Sequence, residues 1–581
     1  MTPSPSSSRT ARKSRVRLTL RAVVVAVVAP LAITATGSSA SADQTYYVPI
    51  SKSWTISGHG YGHGHGMSQY GAQGAAMRGL GYTDIINFYY PGTSWARSKG
   101  MVRVLISADT TSDLQVRPQG GLALRDLTSN KKWTLPTRAA IDRWRLTPVP
   151  RGTAVQFHTA TGWHAWDVPG AQRMLKAAGQ FTSRSHVLTL LVPSGSDVTA
   201  KRYRGTLRSV PPYAGASVRD TVNVLPMDSY VRGVVPYEMP ASWDAAALRS
   251  QAVAARTYAA WLRAQNPRRY YQVCDTTSCQ VYGGVTAEQT SSNDAVTATA
   301  GKILTYQGKP AFTQFSSSSG GWTSKGSVPY LPAKKDPYDN IAMNANHSWK
   351  VVVSARSLER SHPEIGTLRD LRVTSREGHG EWGGRVLQIV LHGSKGNAMM
   401  TGDDFRWQYG LKSSWFNIAP TPIIQRWHAI GAAKSSIGRP SSAEYRLDDG
   451  SAQNFTQGRI YWSDKTGARE MMGPLLFTYR AFGGPASRVG WPMTGIMKAP
   501  LKGHKIRLQR GYLFSKPGLG ASVMFGPVLE RWSRAEGGPS GHLGYPTSNV
   551  HAVAEGQRAS FQHGSITWLR KTNTFRVVER N

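Results

Sequence analysis

A period of 53 residues in the C-terminal quarter constrains this chain more tightly than any other feature. The segments FTQGRIYW, LQRGYLFS and FQHGSITW align on Gly458, Gly511 and Gly564, each 53 residues after the last, and Gly473-Pro474 and Gly526-Pro527 keep the same spacing. Ile437-Gly-Arg-Pro440, Val489-Gly-Trp-Pro492 and Leu543-Gly-Tyr-Pro546 line up with them to within one residue. Self-similarity at that length predicts three copies of one β-rich unit, stacked or ring-like, with turns set by Gly and Pro. Trp462, Trp491 and Trp568 are either exposed stacking surfaces or core, and core is the commoner fate in small β units.

The N-terminus predicts export. Arg9, Arg12, Lys13, Arg15, Arg17 and Arg21 precede an apolar run from Ala22 to Ile33 and then Ala40-Ser41-Ala42, the pattern of a signal peptide spanning residues 1–42. Cleavage after Ala42 removes six positive charges and no negative one, taking the formal net charge from +37 to +31. No later apolar run reaches the roughly 18 residues of a membrane span. The expected mature protein is secreted, either free or held on the outside of the envelope by its surface chemistry. An excess of 70 Lys and Arg over 33 Asp and Glu then points to an anionic envelope polymer and away from nucleic acid. Cys274 and Cys279 are the only cysteines. A short disulfide loop is the reading an oxidising compartment favours; a zinc site is the rival, but no histidine lies between Arg268 and Gly284 to complete it.

From Gly58 to Tyr82 glycine recurs at nearly every second position, with His59, His63 and His65 between. Read as a strand, such alternation strips one face and lets a second backbone approach. A helix follows from Met67 and another from Thr83. Residues 101 to about 220 read as β-rich, with strands expected at Val102–Ile106, Ala154–Phe157, His186–Val192 and Arg204–Arg208. The stretch Val234–Trp261 carries one acid, Glu238, ahead of an Ala-rich helical pattern whose start is expected at Pro240 and Ser242. Glu238 is either a helix-start charge or a functional acid. Beyond it, a helix is expected at Asp294–Ala300, a hairpin from Lys302–Tyr306 and Pro310–Phe315, and an exposed polar loop at Ser316–Gly321.

The pieces GVVPYEMPASW, SQAVAARTYA, CQVYGG, FSSSSGGWTS and GHGHGMSQYGAQGAA together resemble the SpoIID/LytB domain of bacterial cell-wall proteins, and the 53-residue units resemble LGFP repeats. In spore-forming members the Gly/His segment closes the domain. Here it opens the domain, which resembles a circular permutation and implies that Gly58–Gly92 packs beside the later motifs. The implied architecture is an α+β catalytic domain, residues 43–420, with a β-rich insertion at about 101–200, followed by an all-β repeat domain, residues 421–581.

The resemblance implies a peptidoglycan lytic transglycosylase with Glu238 as its single acid/base, needing no cofactor and no metal. Gln251, Arg256, Tyr258, Ser318, Ser319, His63, His65 and Gln69 are nominated as sugar-binding or site-shaping residues. For Arg256 a buried ion pair with a core acid competes with that role. A helix start favours the ionised acid, whereas burial by Tyr237, Met239 and Trp243 raises its pKa. Paired-carboxylate hydrolysis instead requires a second acid, for which Asp228 and Asp244 are the nearest in sequence. The rival reading is a non-catalytic wall-binding enhancer of a separate amidase; a metal-dependent hydrolase using the histidines is a third. Expected partners are glycan strands, anionic wall polymers and, in the rival reading, that amidase.

Overall fold

The structure, a computed structural model, describes residues 41–580 apart from 151, 171–173, 177, 195 and 196. The expected export segment lies outside the described residues up to Ala40. Ser41 and Ala42, which precede the expected cleavage point, already belong to the strand Ser41–Tyr47, paired antiparallel with Leu368–Arg376.

Six helices frame the part that carries Glu238: α1 (Gln69–Met77), α2 (Tyr82–Tyr89), α3 (Met227–Arg232), α4 (Val235–Glu238), α5 (Ala245–Gln265) and α6 (Thr290–Ala298). Helix α5 is the axis of this region, with α1, α2, α3, α4 and α6 all packed against it. A helix contacted from so many sides needs small residues around its circumference. Ala252, Ala254, Ala255, Ala259 and Ala260 meet that need and are buried to within 1% of complete exclusion from solvent.

Residues 101–226, joined by the short strand Val273–Cys274, build two seven-stranded sheets. The expected strand Arg204–Arg208 is in fact split between them. Gly205, at φ +79°, turns the chain from Asp197–Arg204, paired with Val187–Ser194, into Thr206–Val210, paired with Asp220–Pro226. A Cβ at Gly205 would lie 2.3 Å from the Val224 carbonyl oxygen, so the crossing admits no larger residue. The expected hairpin after Lys302–Tyr306 shrinks to Lys309–Pro310, and Phe315–Ser316 pairs in parallel with Met67–Ser68 instead.

The Gly/His segment departs from the strand expected of it. The strand Ser53–His59 ends where the run begins; beyond it Gly60, Gly62, Gly64 and Gly66 all take positive φ, and strand pairing resumes at Met67–Ser68. The close backbone approach is nevertheless there. A Cβ at Gly60 would lie 2.7 Å from the Ser318 carbonyl oxygen, and one at Gly66 2.1 Å from that of Gln314. The early segment is therefore threaded against the loop before and after Phe315.

Each of the three C-terminal units is one short helix followed by a four-stranded antiparallel sheet. The β-rich repeats stand as expected, with the added helices Pro422–Ala429, Gly473–Ala481 and Gly526–Arg534. Gly458, Gly511 and Gly564 each begin the third strand of a unit. Their period has a steric cause, since a Cβ there would meet the carbonyl oxygen of Met471, Met524 or Val578 at 2.7, 2.5 or 2.1 Å. Trp491 is core; Trp462 and Trp568 are half-buried.

Candidate functional site

Glu238 closes the single turn of α4, and Met239 after it is extended. Helix α5 starts only at Ala245, where the Asp244 side chain accepts the Ala246 N–H at 2.9 Å. The helix start expected at Pro240 and Ser242 is thus corrected to Asp244, the better capping residue. Glu238 is consequently no helix-start charge of α5.

Two donors hold its carboxyl. Gln69 of α1 donates from Nε2 to Oε2 at 3.1 Å, and the backbone N–H of Val281 donates as well. Burial nevertheless pushes the Glu238 pKa from 4.5 up to about 7, against the pull of both bonds. No neighbouring charge figures among the causes. Met239 and Trp243 are buried beside it in sequence, while Tyr237 is 57% exposed and does not enclose the acid as expected.

The surrounding elements explain how a flexible carboxyl is fixed. Gln69 and Gln73 lie one turn apart on α1, so they share a face. Gln69 reaches Glu238, and Gln73 Oε1 accepts the N–H of Asp244 at 2.9 Å, so α1 grips both ends of the α4–α5 connection. Val281 follows the Cys274–Cys279 disulfide of the structure, whose Cα atoms are 5.4 Å apart. Between them Gln280 is buried and accepts the Tyr230 hydroxyl at 3.2 Å. Burial first, and the Glu238 charge second, hold the Tyr230 phenol well above its ordinary pKa.

The two candidate second acids are otherwise engaged. Asp228 Oδ1 accepts Arg256 Nε at 2.7 Å, and Asp244 caps α5. This pairing also corrects Arg256 as a sugar-binding residue. Its guanidinium is wholly buried and donates to the Ala252, Val296 and Lys302 carbonyls and to Thr299, which ties α5 to α6 and to the strand after it. Gln251 is likewise wholly buried and faces no solvent from which a sugar arrives. Tyr258 packs on Trp261 and Phe312.

Ser318 and Ser319 do not form an exposed loop either. Both are buried because they satisfy two buried carboxylates that the sequence reading missed, Asp336 and Asp339. Asp339 accepts from Ser68 Oγ at 2.6 Å, Ser318 Oγ at 2.9 Å and Asn344 Nδ2 at 3.1 Å, with His347 Nδ1 at 2.9 Å. Asp336 accepts from Tyr89 at 2.9 Å and Ser319 at 2.8 Å. Burial, then the charge of Asp339, raises the Asp336 pKa to about 6; Asp339 stays below its ordinary value because the bonds from His347, Ser68 and Ser318 outweigh burial. The acid pair of YLPAKKDPYDN, set among two prolines and two tyrosines, was the available signal.

His63 Nδ1 accepts the His65 N–H at 2.9 Å, and His65 Nδ1 lies 3.2 Å from Gln314 Oε1. Burial, then the nearby His65, Arg385 and Arg406, lowers the His63 pKa to about 3 and keeps that ring neutral. Of the nominated residues only Gln69 hydrogen-bonds Glu238 among the described residues. Among those same residues no group of three or more His, Cys, Asp and Glu stands together as a metal site.

A family model described as stage II sporulation protein matches residues 216–306, and an LGFP repeat model matches residues 437–487. Stage II sporulation protein D of Bacillus amyloliquefaciens is 31% identical over 264 residues, covering 41% of this chain and 73% of the relative. The chain belongs to the stage II sporulation protein D family. The same-named protein of Bacillus subtilis is 31% identical over 230 residues, 36% of this chain and 64% of the relative. An amidase enhancer of Bacillus subtilis is 41% identical over 135 residues, 22% of this chain but only 17% of that longer protein. The matched stage II sporulation protein segment 216–306 contains Glu238, the disulfide and Val281, whereas Gln69 lies outside it.

Proposed function

We propose that this member of the stage II sporulation protein D family cuts peptidoglycan glycan strands as a lytic transglycosylase, with Glu238 as its only acid/base. The observation that carries the reading is a lone carboxyl raised to about 7 by burial and held by two neutral donors, with both candidate partner acids engaged elsewhere. Such a group is protonated in a large fraction of molecules near neutrality.

The chemistry asks for one carboxyl used twice. Protonated Glu238 donates to the glycosidic oxygen as that bond to the muramyl anomeric carbon breaks. The resulting carboxylate then takes the proton of the muramyl C6 hydroxyl, whose oxygen bonds to the anomeric carbon. The products are a free hydroxyl on the leaving sugar and a 1,6-anhydro ring, and Glu238 is again protonated. Gln69 and Val281 stabilise the transient carboxylate and keep it aimed. The repeats, basic overall charge and LGFP match support a role in holding the enzyme on the wall.

Product analysis of purified glycan strands tests this. The wild-type chain should release anhydro-terminated sugars and Glu238→Gln none; reducing-end muramic acid instead would assign a hydrolase. The likeness to an amidase enhancer favours a second reading, in which the chain binds wall and stimulates an amidase without cutting glycan. Equal stimulation of an amidase by wild type and Glu238→Gln, with no anhydro product from either, selects it.

A further inference from the structure

An aromatic platform lies outside the chemistry assigned to Glu238. His59 stacks on Trp382 with centroids 4.7 Å apart and planes 27° from parallel, and it tilts over Trp415 at 4.9 Å. Trp322 stacks on His379 at 5.5 Å with planes 9° apart. The two stacks meet at Gly380, where a Cβ would lie 2.5 Å from the Trp415 ring and 3.0 Å from that of Trp322. Any side chain at this position would wedge them apart. Trp415 is the buried floor, its indole donating to the Glu381 carbonyl at 3.0 Å. Trp322 and Trp382 are half-buried, and His379 and Glu381 are exposed.

The loop bearing this platform is held under strain. Trp382 takes φ +59°, in the left-handed region where a bulky side chain is a true outlier, between glycines 378, 380, 383 and 384, all also at positive φ. Such a conformation persists only where the surroundings enforce it. A plain turn would be cheaper with a fifth glycine. What the strain secures is an indole stacked on His59 with Glu381 Oε2 3.0 Å from His59 Nε2 at its edge.

We propose that Trp322 and Trp382 form a pyranose-binding subsite for the glycan strand, apart from the scissile bond. The inference rests on the glycan-cleaving reading of Glu238. A pyranose offers a face of C–H groups that packs on an indole, and a rim of hydroxyl and acetamido groups that needs acceptors. Exposed Glu381 supplies an acceptor at the rim. The platform is tied to the Glu238 site through the chain itself. The Ser319 N–H donates to Ser68 Oγ at 3.2 Å, Trp322 is three residues beyond Ser319, and Gln69 follows Ser68. That path limits the separation of the Trp322 and Gln69 Cα atoms to about 22 Å, within the span of a short oligosaccharide.

The experiment uses the full-length Glu238→Gln chain, which cannot consume its ligand, and soluble stem-free glycan strands. Saturating strand should slow amide hydrogen exchange at residues 320–322 and 378–384. Trp382→Gly, which suits the left-handed backbone and so preserves the loop, and Trp322→Ala should each abolish that protection and weaken strand binding about tenfold, with thermal midpoints near that of the parent. Strand bound without protection of 378–384 overturns the subsite and leaves the Glu238 reading intact. A Glu238→Gln chain that binds no glycan overturns both. Protection by free stem peptide but not by glycan assigns the platform to peptide and also overturns the proposal.

Discussion

Glu238 keeps its proton in the folded chain up to about pH 7, whereas an ordinary glutamate releases it near 4.5. Between those values the folded state binds more protons than the unfolded state, so stability falls as pH rises through the window, by at most about 3 kcal/mol in all. Glu238→Gln removes that loss. The variant should melt with the wild type at pH 4.5 and above it at pH 8, as differential scanning calorimetry at the two pH values will read. Activity requires the protonated form first, so the wild-type rate should decline above about pH 7. Gln69 donates to the charged form and pulls the pKa down, hence Gln69→Leu should move that alkaline limb to higher pH while lowering kcat by about 10- to 100-fold. A pH–rate profile unchanged by Gln69→Leu would remove Gln69 from the site. Glu238 was legible in sequence as a candidate because its motif is local. Its second donor, the Val281 N–H, is a backbone group and carries no signature of its own.

Among the elements, α5 was legible from its alanine spacing, but its start was not. Pro240 and Ser242 are helix-start residues by type, yet Asp244 wins because its carboxylate reaches the Ala246 N–H. For Arg256 the buried ion pair weighed from sequence is the one the structure shows, whereas the Ser318–Ser319 loop was misplaced because polarity in the sequence looked like exposure, while the structure uses it to neutralise buried partners. Arg256→Met should therefore act on folding, costing about 3 kcal/mol by stranding Asp228 and several α6-side carbonyls. Urea denaturation measures it, and the surviving folded fraction should cut glycan at the wild-type rate per molecule. The disulfide closes a short loop, for which chain entropy predicts about 2 kcal/mol. Replacing both cysteines by serine should lower stability by that amount and loosen Val281, so activity should fall more steeply with temperature than in the wild type.

Across the whole molecule, the 53-residue repeat was the most legible feature, since a steric rule repeated three times leaves the same glycine three times. The apolar cores on either side of residue 420 share no residue. A chain ending at Pro420 should therefore fold, lose retention on sedimented walls, and cleave short soluble glycans within about twofold of the full-length rate. Retention of the full chain that survives high salt would credit the repeats' aromatic surfaces above its +37 formal charge. The sequence separation of the two donors has one further outcome. Gln69 and the Val281 N–H flank Glu238 in space but are separated by 212 positions in the chain. A polypeptide emerging from its N-terminus presents Gln69 early, yet the acid gains its second holder only after residue 281 is free to fold. On the function proposed above, the site thus stays unassembled until about half of the chain has emerged.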